Sequence, residues 1–111
     1  MQASDLLNER CAPGRSKLPD ADAGVLMKCL PDWEIKGIEL TKTFRFDNYH
    51  ETMAFVNALA YIAHREDHHP DLSVHFNRCV VNWSTHDAGG LTLNDFICAA
   101  KTEALVASAT P

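Results

Sequence analysis

The sequence predicts an α+β domain: a four-stranded antiparallel sheet with three helices packed on one face, in the order α-β-β-α-β-β-α. Two observations lead there. Residues 33–46 and 72–83 each hold two short runs of alternating apolar and polar residues, broken by Lys36-Gly37 in one and Asn77-Arg78 in the other, which makes two hairpins. Three other segments repeat apolar residues at threes and fours, and helices of that kind need the apolar face of a sheet to cover.

The elements follow in order. Residues 1–18 mix Asn, Arg, Pro, Gly, Ser and Lys without periodicity and are expected to be a loosely ordered leader, with one domain over residues 19–107. Asp20 and Asp22 offer a helix start, Val25, Leu26, Cys29 and Leu30 make its stripe, and Pro31 ends it. In the first hairpin, Trp33 and Ile35 precede the turn, while Ile38, Leu40, Phe44 and Phe46 resume the apolar face after it. Asn48 with Glu51 resembles a capping box, and Met53, Val56, Leu59, Ala60 and Ala63 give the long helix its stripe. Pro70 disfavours helical geometry at His69, so the helix should stop there. Leu72, Val74 and Phe76 alternate in the third strand, and "CVVNWST" makes the fourth, with Phe76 and Trp83 expected in the core. "HDAGG" is a loop. Thr92, three residues before Asp95, caps a last helix with Leu93, Phe96, Ile97, Ala100, Ala104 and Leu105 on its buried side. A sheet covered on one face and open at its edges invites self-pairing, so a homodimer or homotetramer is expected.

Composition narrows the function. The chain has 111 residues, 46% hydrophobic and 23% charged, with a net charge of -5. Its Lys and Arg are scattered singly, which argues against a phosphate-neutralising surface and so against direct nucleic-acid binding. No apolar run approaches the roughly 20 residues that span a bilayer, and "MQASDLLNER" has neither the basic nor the apolar part of a secretory signal, so a cytoplasmic protein is expected. The four cysteines lack C-x-x-C spacing and are expected reduced, with Cys29, Cys79 and Cys98 acting as small buried apolar groups.

The chemistry gathers in histidines, of which the chain has six. Imidazole exchanges protons near neutral pH, so a convergent set suits acid and base work. His50 and His75 read as surface or satisfied residues. His64 and His68, four apart, share a helix face and would suit a zinc pair, which leaves a metal-dependent hydrolase on His64, His68 and His86 as an alternative. No H-E-x-x-H glutamate lies between them.

Taken together, "EDHHPDLSVHF" and "VVNWSTHDAGGLTLNDFICAAKTE" resemble the pterin-4a-carbinolamine dehydratase family, over about residues 20 to 105. The residues that carry the likeness are Asp67, His68, His69, Pro70, Phe76, Ser84, Thr85, His86 and Asp95, with "PDWEI" and "AFVNALAYIA" beside them. The resemblance implies expulsion of water from a 4a-hydroxytetrahydropterin to give quinonoid dihydropterin, in recycling of the pterin used by an aromatic amino acid hydroxylase. It implies a pterin substrate and neither cofactor nor metal. It further implies His68 and His86 as general acid and base and His69 positioning the ring. Asp67 and Asp95 would orient imidazoles, Pro70 would aim His69, and Ser84 and Thr85 would hold the pterin edge. At His64 many animal members carry a glutamate, so the hold on the ring could differ there. Some animal relatives also bind a transcription factor's dimerisation helix, which makes a non-catalytic interaction module the third reading.

Overall fold

In the computed structural model, which describes residues 2–108, both hairpins form where alternation puts them. Strand β1 (Glu34–Lys36) runs antiparallel to β2 (Glu39–Arg45), and β3 (Asp71–His75) antiparallel to β4 (Arg78–Trp83). Gly37 makes the first turn at φ 60°, a conformation that any Cβ would strain. The hairpins join through β2 and β4, with Leu40 opposite Trp83 and Phe44 opposite Cys79, so the sheet order is β1-β2-β4-β3. This register puts Leu40, Phe44, Cys79, Val81 and Trp83 on one buried face.

Helices cover that face. Leu26 of α2 (Asp20–Met27), Phe55, Leu59 and Ala63 of α3 (Tyr49–Glu66), and Phe96 and Ile97 of the last helix (Leu93–Ser108) share one core with the strands. Phe44 and Phe55 pack ring to ring at 4.8 Å. The architecture is the expected α+β one, with a helix added. Residues Ala3–Asn8, inside the stretch expected to be loosely ordered, form α1, so that the last helix is α4. Its start is closed by the Gln2 N–H donating to Asp5 Oδ2 (2.8 Å), and its Leu6 is fully buried in the common core. Six residues hold too few turns to show a periodicity, which is why one buried leucine gave no signal.

Three other expectations are corrected. Helix α3 ends at Glu66, not at His69: Asp67 adopts a left-handed conformation (φ 51°), and the N–H groups of Asp67 and His68 close onto the carbonyls of His64 (3.2 Å) and Ala63 (3.1 Å). The buried stripe of α3 is Thr52, Phe55, Leu59, Ala63 and Glu66, while Met53 and Val56 are half-buried and Ala60 exposed. Thr52 belongs inside because its hydroxyl donates to the carbonyls of Asn48 and Phe76, both at 3.0 Å. Phe76, expected in the core, is 65% exposed because it sits in the β3–β4 turn at the sheet edge; Ile35, inside the short edge strand β1, and Ile38, in the turn after it, are exposed too.

Cys79 and Cys98 are buried as expected, and Cys29 is half-buried. The hydrogen bond with Cys11, whose Sγ lies 3.4 Å away, together with burial, pushes the Cys98 thiol far above the ordinary thiol range; burial also raises that of Cys79. Both therefore stay neutral and unreactive. Iodoacetamide at pH 8 should leave Cys79 and Cys98 unlabelled in the native protein and modify them in denaturant. Peptide mass spectrometry checks this, and rapid native labelling of Cys98 would contradict the packing.

Candidate active site

The β3–β4 register brings the histidines together. Asp71 pairs with Asn82 in an antiparallel ladder, so the residues just before β3 lie beside those just after β4. The first set is Asp67, His68 and His69, delivered by the left-handed turn that ends α3; the second is Ser84, Thr85 and His86. After them the chain makes a short 3-10 turn, His86–Ala88, with Gly89 at φ 75°, and returns so that Thr85 and Gly90 bridge. Asp67, His68, His69, Ser84, Thr85, His86 and Asp87 then line one cavity of about 260 Å³.

His68 is fixed from two directions. Its Nε2 lies 2.6 Å from Oδ1 of Asp95, which is fully buried, and its ring stacks on Trp83 at 5.5 Å and 13°. Trp83 is held in turn by its indole N–H donating to Thr102 Oγ1 at 3.3 Å. The other oxygen of Asp95 accepts from Thr85 Oγ1 (2.8 Å) and from the Thr92 N–H (2.9 Å) at the start of α4. One carboxylate thus caps a helix with Oδ2 and holds an imidazole with Oδ1. His69 and His86 are exposed, and the Ser84 hydroxyl is 3.4 Å from His86 Nε2.

Two residues singled out in the sequence stand apart. His64 is exposed on α3 and Pro70 is half-buried, and neither lines the cavity. Among the described residues no three His, Cys, Asp or Glu side chains are grouped so as to hold a metal ion, so His64, His68 and His86 do not make the ligand set that a metal-dependent hydrolase needs. Asp87 and the stacking role of Trp83 were missed. Asp87 could have been suspected as the neighbour of His86, whereas the Trp83 contact depends on a fold-level meeting of α3 and β4. Also missed was a larger adjoining cavity of about 600 Å³, where residues 13–17 face Asp67, His68, Thr85 and Asp87.

The chain is similar to several known proteins. A protein of Chromobacterium violaceum named "Putative pterin-4-alpha-carbinolamine dehydratase" is 72% identical over 103 residues, covering 91% of this chain and 95% of its own. One of the same name from Stenotrophomonas maltophilia is 58% identical over 105 residues, 90% of each chain. Among solved structures, a transcriptional coactivator/pterin dehydratase from Brucella melitensis superimposes with a TM-score of 0.77 at 27% identity, covering 81% of this chain and 98% of that one. A pterin dehydratase-like protein described as a RuBisCO assembly factor in the alpha-carboxysome does so with a TM-score of 0.56 at 26% identity, covering 66% and 84%. The model of the family described as pterin 4 alpha carbinolamine dehydratase matches residues 16–105, a span that contains both histidine segments and Asp95, and the chain belongs to that family.

Proposed function

We propose that the protein is a hydro-lyase that converts 4a-hydroxytetrahydropterin to quinonoid dihydropterin and water, with its own histidines moving the protons. The C4a–O bond breaks, the leaving hydroxyl takes a proton, N5 loses its proton, and a C4a–N5 double bond forms; no electron leaves the ring. The observation that carries the reading is the His68–Asp95 pair. A buried carboxylate accepting from Nε2–H keeps the Nδ1 lone pair as the basic position. His68 therefore takes the N5 proton. His86, exposed in the same cavity, protonates the leaving hydroxyl, and His69 positions the ring. Asp67, Ser84 and Thr85 supply polar contacts to the pterin edge.

The reaction serves recycling of the pterin consumed by an aromatic amino acid hydroxylase, in the cytoplasm. The edge strand β3, with Val74 exposed on it and Phe76 exposed in the turn that follows, is the surface on which copies of the chain associate. Among the described residues no helix is long and apolar enough to cross a membrane.

The test mixes purified protein with freshly generated carbinolamine, supplied by a phenylalanine hydroxylase reaction, and follows the ultraviolet change against the spontaneous rate. Acceleration should persist at full strength after EDTA treatment; loss of activity in chelator would count against proton transfer by histidine alone. A second reading, a binding module without catalysis, draws on the assembly-factor description of the TM-score 0.56 neighbour. Protein that never exceeds the spontaneous rate yet retains a specific binding partner would favour it.

A further inference from the structure

Two supports of His68 lead back to one helix. Asp95 and Thr102 stand seven residues apart on α4, which is two turns, and so share a face. Both are fully buried. Asp95 takes the imidazole directly, with Oδ1 2.6 Å from Nε2. Thr102 takes it through Trp83, the last residue of β4. The Thr102 hydroxyl donates to the Cys98 carbonyl (2.7 Å) and accepts from the indole Nε1–H (3.3 Å), and the indole in turn lies along the imidazole at 5.5 Å and 13°. Thr102 lines neither of the two cavities that His68 borders.

The two supports constrain different motions. A hydrogen bond at Nε2 fixes one axis of the ring, but the ring can still turn about that axis, and Nδ1 lies off it, so each turn swings the basic nitrogen. Only 13% of the His68 side chain is exposed, which leaves a narrow edge toward the cavity and little tolerance for such a turn. A flat indole within 13° of the imidazole plane blocks it. The indole can do this only if it does not tilt itself. Burial confines it, and the Thr102 hydroxyl fixes its N–H edge. A buried indole N–H needs an acceptor for stability in any fold. Here that acceptor stands on the helix that also carries Asp95, so the plane of the imidazole and its hydrogen bond share one rigid frame.

We infer that Trp83 and Thr102 are positioning residues: Trp83 sets the plane in which His68 presents Nδ1, and Thr102, outside the site, acts on the reaction through the indole N–H alone. This rests on the dehydratase reading for the proton that His68 takes. The test measures carbinolamine turnover by Trp83→Leu, Trp83→Phe, Thr102→Val, Thr102→Ser and the double variant Trp83→Phe/Thr102→Val, with circular dichroism melts to verify folding. Trp83→Leu, which keeps apolar bulk but no flat face, should lower kcat about tenfold with KM within about twofold of wild type, since small misplacements of a reacting group cost that much or more. Thr102→Val should lower kcat about threefold, and Thr102→Ser, which keeps the hydroxyl, should restore it. A phenyl ring has no N–H to hold, so Thr102→Val should cause no further loss in the Trp83→Phe background. The same loss in both backgrounds would mean that Thr102 acts by general destabilisation and would overturn its role. A Trp83→Leu protein with wild-type kcat, or one whose loss lies in KM alone, overturns the role of Trp83. A second readout needs no turnover: the His68 Cε1–H proton resonance, assigned by comparison with His68→Gln, should carry the indole's ring-current shift in wild type and Thr102→Ser and lose it in Trp83→Leu. An unchanged resonance in Trp83→Leu overturns the stack. The two readings are thereby separable: a resonance that moves as expected in a protein without turnover sinks the dehydratase alone, and turnover that Trp83→Leu leaves intact sinks the positioning alone.

Discussion

Replacing His68 with alanine should lower kcat by about 10²- to 10⁴-fold, the range that a positioned proton-transfer group contributes, and should do so with little change in KM. The ring binds through the other cavity residues, while the imidazole acts on the proton in flight. Some stability goes with it, because Oδ1 of the buried Asp95 loses its partner, which costs about 1–3 kcal/mol. His68→Gln separates the two effects, since an amide N–H can still donate to Asp95 but cannot accept a proton from N5. Turnover of freshly generated carbinolamine and thermal melts of both variants are the measurements. A His68→Gln protein within a few-fold of wild type would remove His68 from the chemistry.

Asp95→Asn should be nearly as damaging and for a different reason. The carboxylate takes hydrogen bonds from His68, Thr85 and the Thr92 N–H, and an amide offers one oxygen and an NH₂ in the same space. If the amide oxygen keeps the helix cap, the NH₂ faces His68 Nε2 and turns the imidazole into the tautomer with its proton on Nδ1, where a base is needed. Activity should fall by about 10²-fold or more, and stability by about 2–4 kcal/mol from the lost cap and the unpaired buried donors. Because Asp95 acts through His68, the double variant His68→Ala/Asp95→Asn should be no slower than His68→Ala alone. Losses that multiply in the double variant would mean that Asp95 acts on the substrate independently.

Much of the site was legible from residues close in sequence. His68, His69 and Pro70 stand in one run, as do Ser84, Thr85 and His86, and both runs line the cavity apart from Pro70. Asp95 was visible as a capping acid because a capping box is a contact between residues three apart. The end of α3 was placed near Pro70, but the left-handed turn at Asp67 came two residues sooner, since hydrogen bonds from Asp67 and His68 back to His64 and Ala63 close the helix there. His64 was drawn in by its spacing from His68, yet the same turn carries His68 off the helix face that the two would have shared.

By itself the sequence determined both hairpins, the presence of α2, α3 and α4, and the residue types from which the site is built. All of these depend on alternation along a strand, on repeats of three and four along a helix, or on caps a few residues long, and such interactions act between near neighbours. Only the tertiary structure decided that β2 lies against β4, that Asp71 stands opposite Asn82, and that His68 is clamped between Trp83 and Asp95. It also decided that residues 10–18 cross the site, held by Glu66, Asn94 and Leu91. Those contacts join residues up to 82 positions apart, and their choice rests on burying one shared core, a property of the whole chain that no local pattern contains.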